Sequence, residues 1–273
     1  YYRRSKGVIR YASGFDYNVL GADLTYGIPL SEFTFLRLGG GVSRTALQSF
    51  PTLSSDQVLD FVINNGDVYN EYLLHTGIAR DTRNRTFFAS SGSLTRLNLD
   101  LAIPGSDLTY YNVSLNEQQY FSLPLKLFVE SDGTVGYINT FGSTNDVPPY
   151  QNYFAGGPNP VRGFRDGTLG PRDTPFRNPF GGKLRTTIQN QLVLPIPVVS
   201  DNKTTRMGVF YDVGNVFANG GDFKLDQLRQ STGIAFSFFT PILGLLDLSY
   251  AFPLNPKPGD ETQHFQLTFG SGF

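Results

Sequence analysis

The feature that most limits what this chain can become is a two-residue alternation, repeated in stretches of about ten residues separated by turn residues. Side chains along a strand point to opposite faces in turn, so a period of two places every second residue on one surface. At the C-terminus Phe265, Leu267, Phe269, Ser271 and Phe273 share one face, while His264, Gln266, Thr268, Gly270 and Gly272 occupy the other. Leu97, Leu99, Leu101 and Ile103 stand against Arg96, Asn98, Asp100 and Ala102. Ile234, Phe236 and Phe238 alternate with Gly233, Ala235 and Ser237, and Leu246, Leu248, Tyr250 and Phe252 with Asp247, Ser249 and Ala251. Soluble sandwiches alternate as well. The second face separates the cases: it is Asn, Asp, Thr, Ser, Gln and Gly, too polar for a dry core. A transmembrane β-barrel reconciles the two faces, with the apolar one in lipid and the polar one lining a wet lumen.

Composition agrees. Fifteen Tyr, 24 Phe, 30 Gly and 17 Pro favour many strands and turns. A net charge of −1 offers no basic field for nucleic acid. With no Cys there is neither disulfide nor thiolate site, and His75 and His264 are too few and too far apart to suggest zinc, so no metal or cofactor is expected. No G-x-S-x-G elbow and no G-x-x-x-x-G-K-[ST] loop occurs, and no catalytic residue is assigned; the chain does not read as an enzyme. No apolar run approaches the roughly 18 residues of a membrane helix. Tyr1-Tyr2-Arg3-Arg4 has no apolar signal region behind it, and the chain reads as an excised piece or one whose signal has been cleaved.

The expected fold is all-β: an antiparallel transmembrane β-barrel with strands at 17–29, 33–44, 67–80, 93–103, 109–121, 125–139, 183–194, 206–216, 231–240, 244–252 and 263–273. Tyr1–Phe15 is the candidate twelfth strand, because such barrels usually close with an even number. Short turns such as Pro104-Gly105-Ser106-Asp107 read as periplasmic and the long connections as extracellular. Phe50–Asn65 reads as a loop with one helical turn near Asp56–Phe61. Gly142–Gly182 is too rich in Gly and Pro for strand or helix; a loop so long in a compact domain is disordered or functional, and its clustered aromatics favour order.

Within that loop lies Asn152-Tyr153-Phe154-Ala155-Gly156-Gly157-Pro158-Asn159-Pro160-Val161-Arg162-Gly163-Phe164. It resembles the BamA family of bacterial outer-membrane assembly factors, whose sixth extracellular loop carries Val-Arg-Gly-Phe in a similar Gly-rich setting. Asp81–Gly92, Ile103-Pro104-Gly105-Ser106 and Phe210–Phe217 follow the family order, as does the aromatic terminal strand. The resemblance implies a sixteen-stranded barrel preceded by POTRA domains, so this chain would be its C-terminal part, with the POTRA domains and first strands absent. It implies a loop folded into the lumen, where Arg162 meets inner-wall acids. Asp212 matches one; Gln191 stands where the family has Glu, a neutral acceptor in place of a charge. The phase also puts Phe265, Leu267, Phe269 and Phe273 of the C-terminal seam strand toward lipid, and Gln266 and Thr268 toward the lumen.

The implied function is folding and inserting client β-barrel proteins into the outer membrane of a Gram-negative bacterium without ATP, through a lateral seam that templates strands. The implied partners are outer-membrane lipids, the clients and the accessory lipoproteins of the assembly complex. A two-partner secretion transporter, exporting a protein through its lumen, and a passive porin are the alternatives. Arg162 as a solvated loop residue and Asp212 as an ordinary lumen carboxylate are the plainer readings of those positions.

Overall fold

The computed structural model describes residues 2–8, 14–86, 88–196, 204–240 and 244–270. Among the described residues twelve strands form one antiparallel sheet in which each pairs only with its neighbours in sequence. They are β1 (Tyr2–Val8), β2 (Phe15–Pro29), β3 (Thr34–Ser49), β4 (Val68–Asp81), β5 (Gly92–Ala102), β6 (Tyr110–Ser122), β7 (Phe128–Thr140), β8 (Leu184–Leu194), β9 (Thr205–Phe217), β10 (Arg229–Thr240), β11 (Gly244–Pro253) and β12 (Phe265–Gly270). Alternation located these strands to within a few residues, with β3 extending to Ser49 rather than 44 because Thr45 and Leu47 still point inward and are buried. The terminal Ser271, Gly272 and Phe273 lie outside the described residues.

The phase of the alternation holds across the wall. Val209, Tyr211, Ile234, Phe236, Tyr250, Phe252, Phe265, Leu267 and Phe269 are exposed on the outer surface, whereas Asp212, Ser231, Ser249, Ala251 and Gln266 are buried inside. A one-residue slip would reverse every one of these assignments.

Three expectations change. First, the sequence suggested a closed barrel, but among the described residues the ladder runs from β1 to β12 and no pairing joins the two edges. The wall nevertheless curls around a cavity of about 770 Å³ lined by Arg96, Glu130, Asp132, Arg206, Asp247 and Thr268, from strands as distant as β5 and β12. Second, the turn at Pro104 is not on the short-turn side. Each strand reverses the last, so the connections 50–67, 103–109, 141–183, 218–228 and 254–264 share one end, and 30–33, 82–91 and 123–127 share the other. Strand order, not loop length, decides the side. Third, the expected single helical turn is a ten-residue helix, α1 (Asp56–Asn65). Asp56 in its first turn suits the helix dipole, and Gly66 at φ 88 ends it while donating to the Val62 carbonyl. Its buried Val58 and Phe61, three residues apart, face the wall, with Phe61 edge-on to Tyr69 at 5.8 Å.

The lumen is also drier than a polar inner face alone implies. Phe15, Leu47, Tyr69, Ala102, Tyr110 and Ile138 of the wall form one buried cluster with Val58 and Phe61 of α1. The long connection supplies Val147, Tyr150, Tyr153, Phe154 and Phe180 to it. Inward apolar positions on the wall thus find partners on the loop, which fills part of the interior.

Candidate functional site

The 141–183 connection is pinned at both ends and in its middle. Tyr153 and Gly182 exchange backbone hydrogen bonds at 2.9 and 3.0 Å, drawing the loop's two arms together beside the wall. The Tyr153 hydroxyl donates to Asn112 on β6, and Tyr150 stacks on Tyr17 of β2 at 5.2 Å. Glycines make the turn possible: Gly156, Gly157 and Gly163 hold φ of 97, 103 and 88, values that side-chain-bearing residues rarely adopt.

At the centre of the loop Arg162 is 8% exposed and faces β9. Its Nε donates to Asp212 Oδ2 at 2.8 Å and its Nη2 to Oδ1 at 2.7 Å, a two-pronged pairing of planar groups. The Arg162 backbone N–H adds a third bond to Oδ2 at 3.0 Å, and Gln189 a fourth at 3.4 Å. Nη1 donates to Gln191 Oε1 at 2.9 Å, so this neutral amide accepts from the arginine beside the carboxylate. The guanidinium lies 3.6 Å over the Phe210 ring. Asp212 is fully buried, and so many donors on one carboxylate are what its ionised form requires in a dry setting.

The neighbouring motif residues touch other strands. Val161, fully buried, sits over Gly214 of β9, where an added Cβ would come within 2.9 Å of it. The Gly163 N–H donates to Gln266 Oε1 at 3.3 Å, and Gln266 Nε2 donates to the Phe164 carbonyl at 2.7 Å. The Gln263 N–H donates to Gly163 O at 2.9 Å and the Arg165 N–H to Glu261 O at 2.8 Å, so the motif pairs as a short strand with the segment entering β12. Phe164 is fully buried.

The structure therefore brings Val161, Arg162, Gly163 and Phe164 together with Asp212 and Gln191 inside the wall. It places Phe265, Leu267 and Phe269 on the outside of β12, apart from that cluster. Sequence reasoning did not find Phe210 as a partner of Arg162, Gln189 as a further donor to Asp212, or Gln266 as the clamp on the motif backbone. Alternation marked Gln266 as inward, but which inward residues meet the loop depends on how far the loop reaches.

At Gly163 an added Cβ would stand 3.1 Å from the Ala251 Cβ and 3.3 Å from Pro253 Cγ, in a conformation already unfavourable for L side chains. Gly163→Ala is expected to cost about 1–3 kcal/mol. Urea unfolding in lipid vesicles would read it, and an unchanged midpoint would show that the backbone there relaxes freely.

An apolar exterior, a polar interior and a loop ion-paired to the inner wall define the barrel wall of an outer-membrane protein, with an internal loop rather than an open pore. The Omp85 superfamily domain matches residues 3–273, and the chain belongs to that superfamily. It is 29% identical over 287 aligned positions to the outer membrane protein assembly factor BamA of Neisseria meningitidis serogroup B, covering 93% of this chain and 36% of that protein. The crystal structure of BamA from Haemophilus ducreyi lacking POTRA domains 1–3 superposes with a TM-score of 0.87 at 28% identity, over 97% of this chain and 56% of that one. CdiB from Acinetobacter baumannii, at 15% identity and a TM-score of 0.57 over 93% of this chain and 42% of that chain, shares the fold alone. The chain thus spans about a third of the length of the curated relative and about half of the solved BamA chain.

Proposed function

We propose that this chain is the barrel of an assembly factor that folds and inserts β-barrel proteins into the outer membrane of a Gram-negative bacterium. It works within a longer protein in which POTRA domains and further strands precede the wall. The observation that carries the reading is the motif's dual attachment: Arg162 to β9 and the Gly163–Phe164 backbone to Gln266 of β12. The loop thereby braces the strand at the sheet's edge. The edge of β12 that faces away from β11 carries no partner strand among the described residues. Unpaired backbone groups beside lipid seek partners strongly, so a client's terminal strand can add there by β-augmentation. No nucleotide is needed, because each new hydrogen bond replaces an unsatisfied one. Clients, outer-membrane lipids and accessory lipoproteins are the partners.

A photo-crosslinking residue at Leu267 in the full-length protein, expressed in cells making labelled barrel clients, tests this. Crosslinks to the C-terminal strands of clients are expected. Crosslinks absent at Leu267, together with capture of a secreted protein by a probe at Asp132 inside the cavity, would replace this reading with export through the lumen.

A further inference from the structure

At the short-turn end, the connections 82–91 and 123–127 enclose a second pocket, about 260 Å³ in volume. Three cations line it: Arg85, Lys126 and Arg206, with the hydroxyl-bearing Ser90 and Ser122 beside them and no carboxylate among the lining residues. Arg206 is 5% exposed. Its Nη1 donates to Glu130 at 2.9 Å and its Nη2 to the Ala89 carbonyl, and the guanidinium lies 4.9 Å from the Phe88 ring and 5.0 Å from the Phe128 ring. Its Nε is buried with no hydrogen-bond partner among the described residues, and the same is true of Arg85 Nη1. Glu130 offsets one of the three charges. Arg85 and Lys126 have no carboxylate partner among the described residues. Buried N–H donors of a cation are almost always satisfied, because leaving them bare is costly.

Two unsatisfied buried guanidinium donors and an ammonium, on residues that line one small pocket, are the recognition chemistry of a multi-oxygen anion. We propose that this pocket binds a phosphate group. It would satisfy Arg85 Nη1 and Arg206 Nε together, with Lys126 closing from the turn. Two sources share that chemistry: the headgroup of an anionic phospholipid, or a soluble phosphate. The end of β6 and the turn present Phe121, Leu123 and Leu125, which are 52, 42 and 84% exposed, so acyl chains could lie against this end of the wall while the headgroup enters the pocket.

Delipidated full-length protein in neutral detergent, titrated calorimetrically with inorganic phosphate and with short-chain phosphatidylglycerol, tests the proposal. Saturable one-to-one binding is expected, weakened about tenfold by Arg85→Gln and by Lys126→Gln, and largely kept in Arg85→Lys. Arg96→Gln, in the larger cavity, is the control and leaves affinity unchanged. Heat-modifiable gel migration verifies that each variant is folded; exposed Lys126 keeps the test alive if Arg85→Gln fails to fold. Tighter binding of the lipid assigns the site to a headgroup, and equal affinities assign it to free phosphate. Failure of both probes to bind, or losses as large in Arg96→Gln as in the pocket variants, would overturn it.

Discussion

Arg162→Ala is expected to destabilise the seated loop by about 3–5 kcal/mol, the cost of removing one partner from a buried ion pair. The magnitude comes mainly from what stays behind. Asp212 is fully buried and would keep the Gln189 amide at 3.4 Å and the backbone N–H of residue 162, having lost both side-chain bonds and their charge. Gln191 would lose its donor, and Phe210 the cation 3.6 Å from its ring. Arg162→Lys should fall between, since a point charge cannot span both carboxylate oxygens. Arg165→Ala is the comparison. Arg165 pairs with Glu261 at 2.9 Å, but the two side chains are 49 and 39% exposed, and pairs of that kind contribute about 0–1 kcal/mol. Limited proteolysis within 142–182 and vesicle unfolding should therefore separate the variants clearly, and the full-length Arg162→Ala protein should assemble clients poorly. Equal protease sensitivity of Arg162→Ala and Arg165→Ala would refute the anchoring role.

The second large effect concerns the lipid face. Ile234→Arg is expected to cost about 2–4 kcal/mol in a bilayer, and Phe269→Arg distinctly less. Both side chains point outward, at 60 and 63% exposure. Depth distinguishes them. Ile234 is at the middle of β10, between Val209 on β9 and Tyr250 on β11. Phe269 pairs with Leu246, two residues from the start of β11 and near the short-turn end, where a long cation can reach the headgroups. Unfolding free energies in vesicles measure the difference. Equal penalties would mean that the membrane band is tilted or shifted relative to the strand centres.

These two expectations draw on different information. That Ile234 and Phe269 face lipid was legible in the sequence, because a strand's period of two is a local rule and the polarity of the opposite face says what lies there. Their depths were not, because depth is a matter of register, and register is settled by pairing between strands. The same division runs through the site. Arg162 and Asp212 were paired in advance by the motif's resemblance. Phe210, Gln189 and Gln266 had no sequence mark, since the motif and Gln266, 102 and 103 positions apart along the chain, meet only when a long loop folds back through the lumen. The side on which the Pro104 turn lies was misread for a related reason. Loop length is local, whereas the end a connection occupies counts every reversal before it. Alternation and polarity, acting between near neighbours, determined a membrane wall with two faces. What fills its interior, and which side chains meet there, was decided by the curl of the sheet and the reach of one loop, through contacts that exist only after folding.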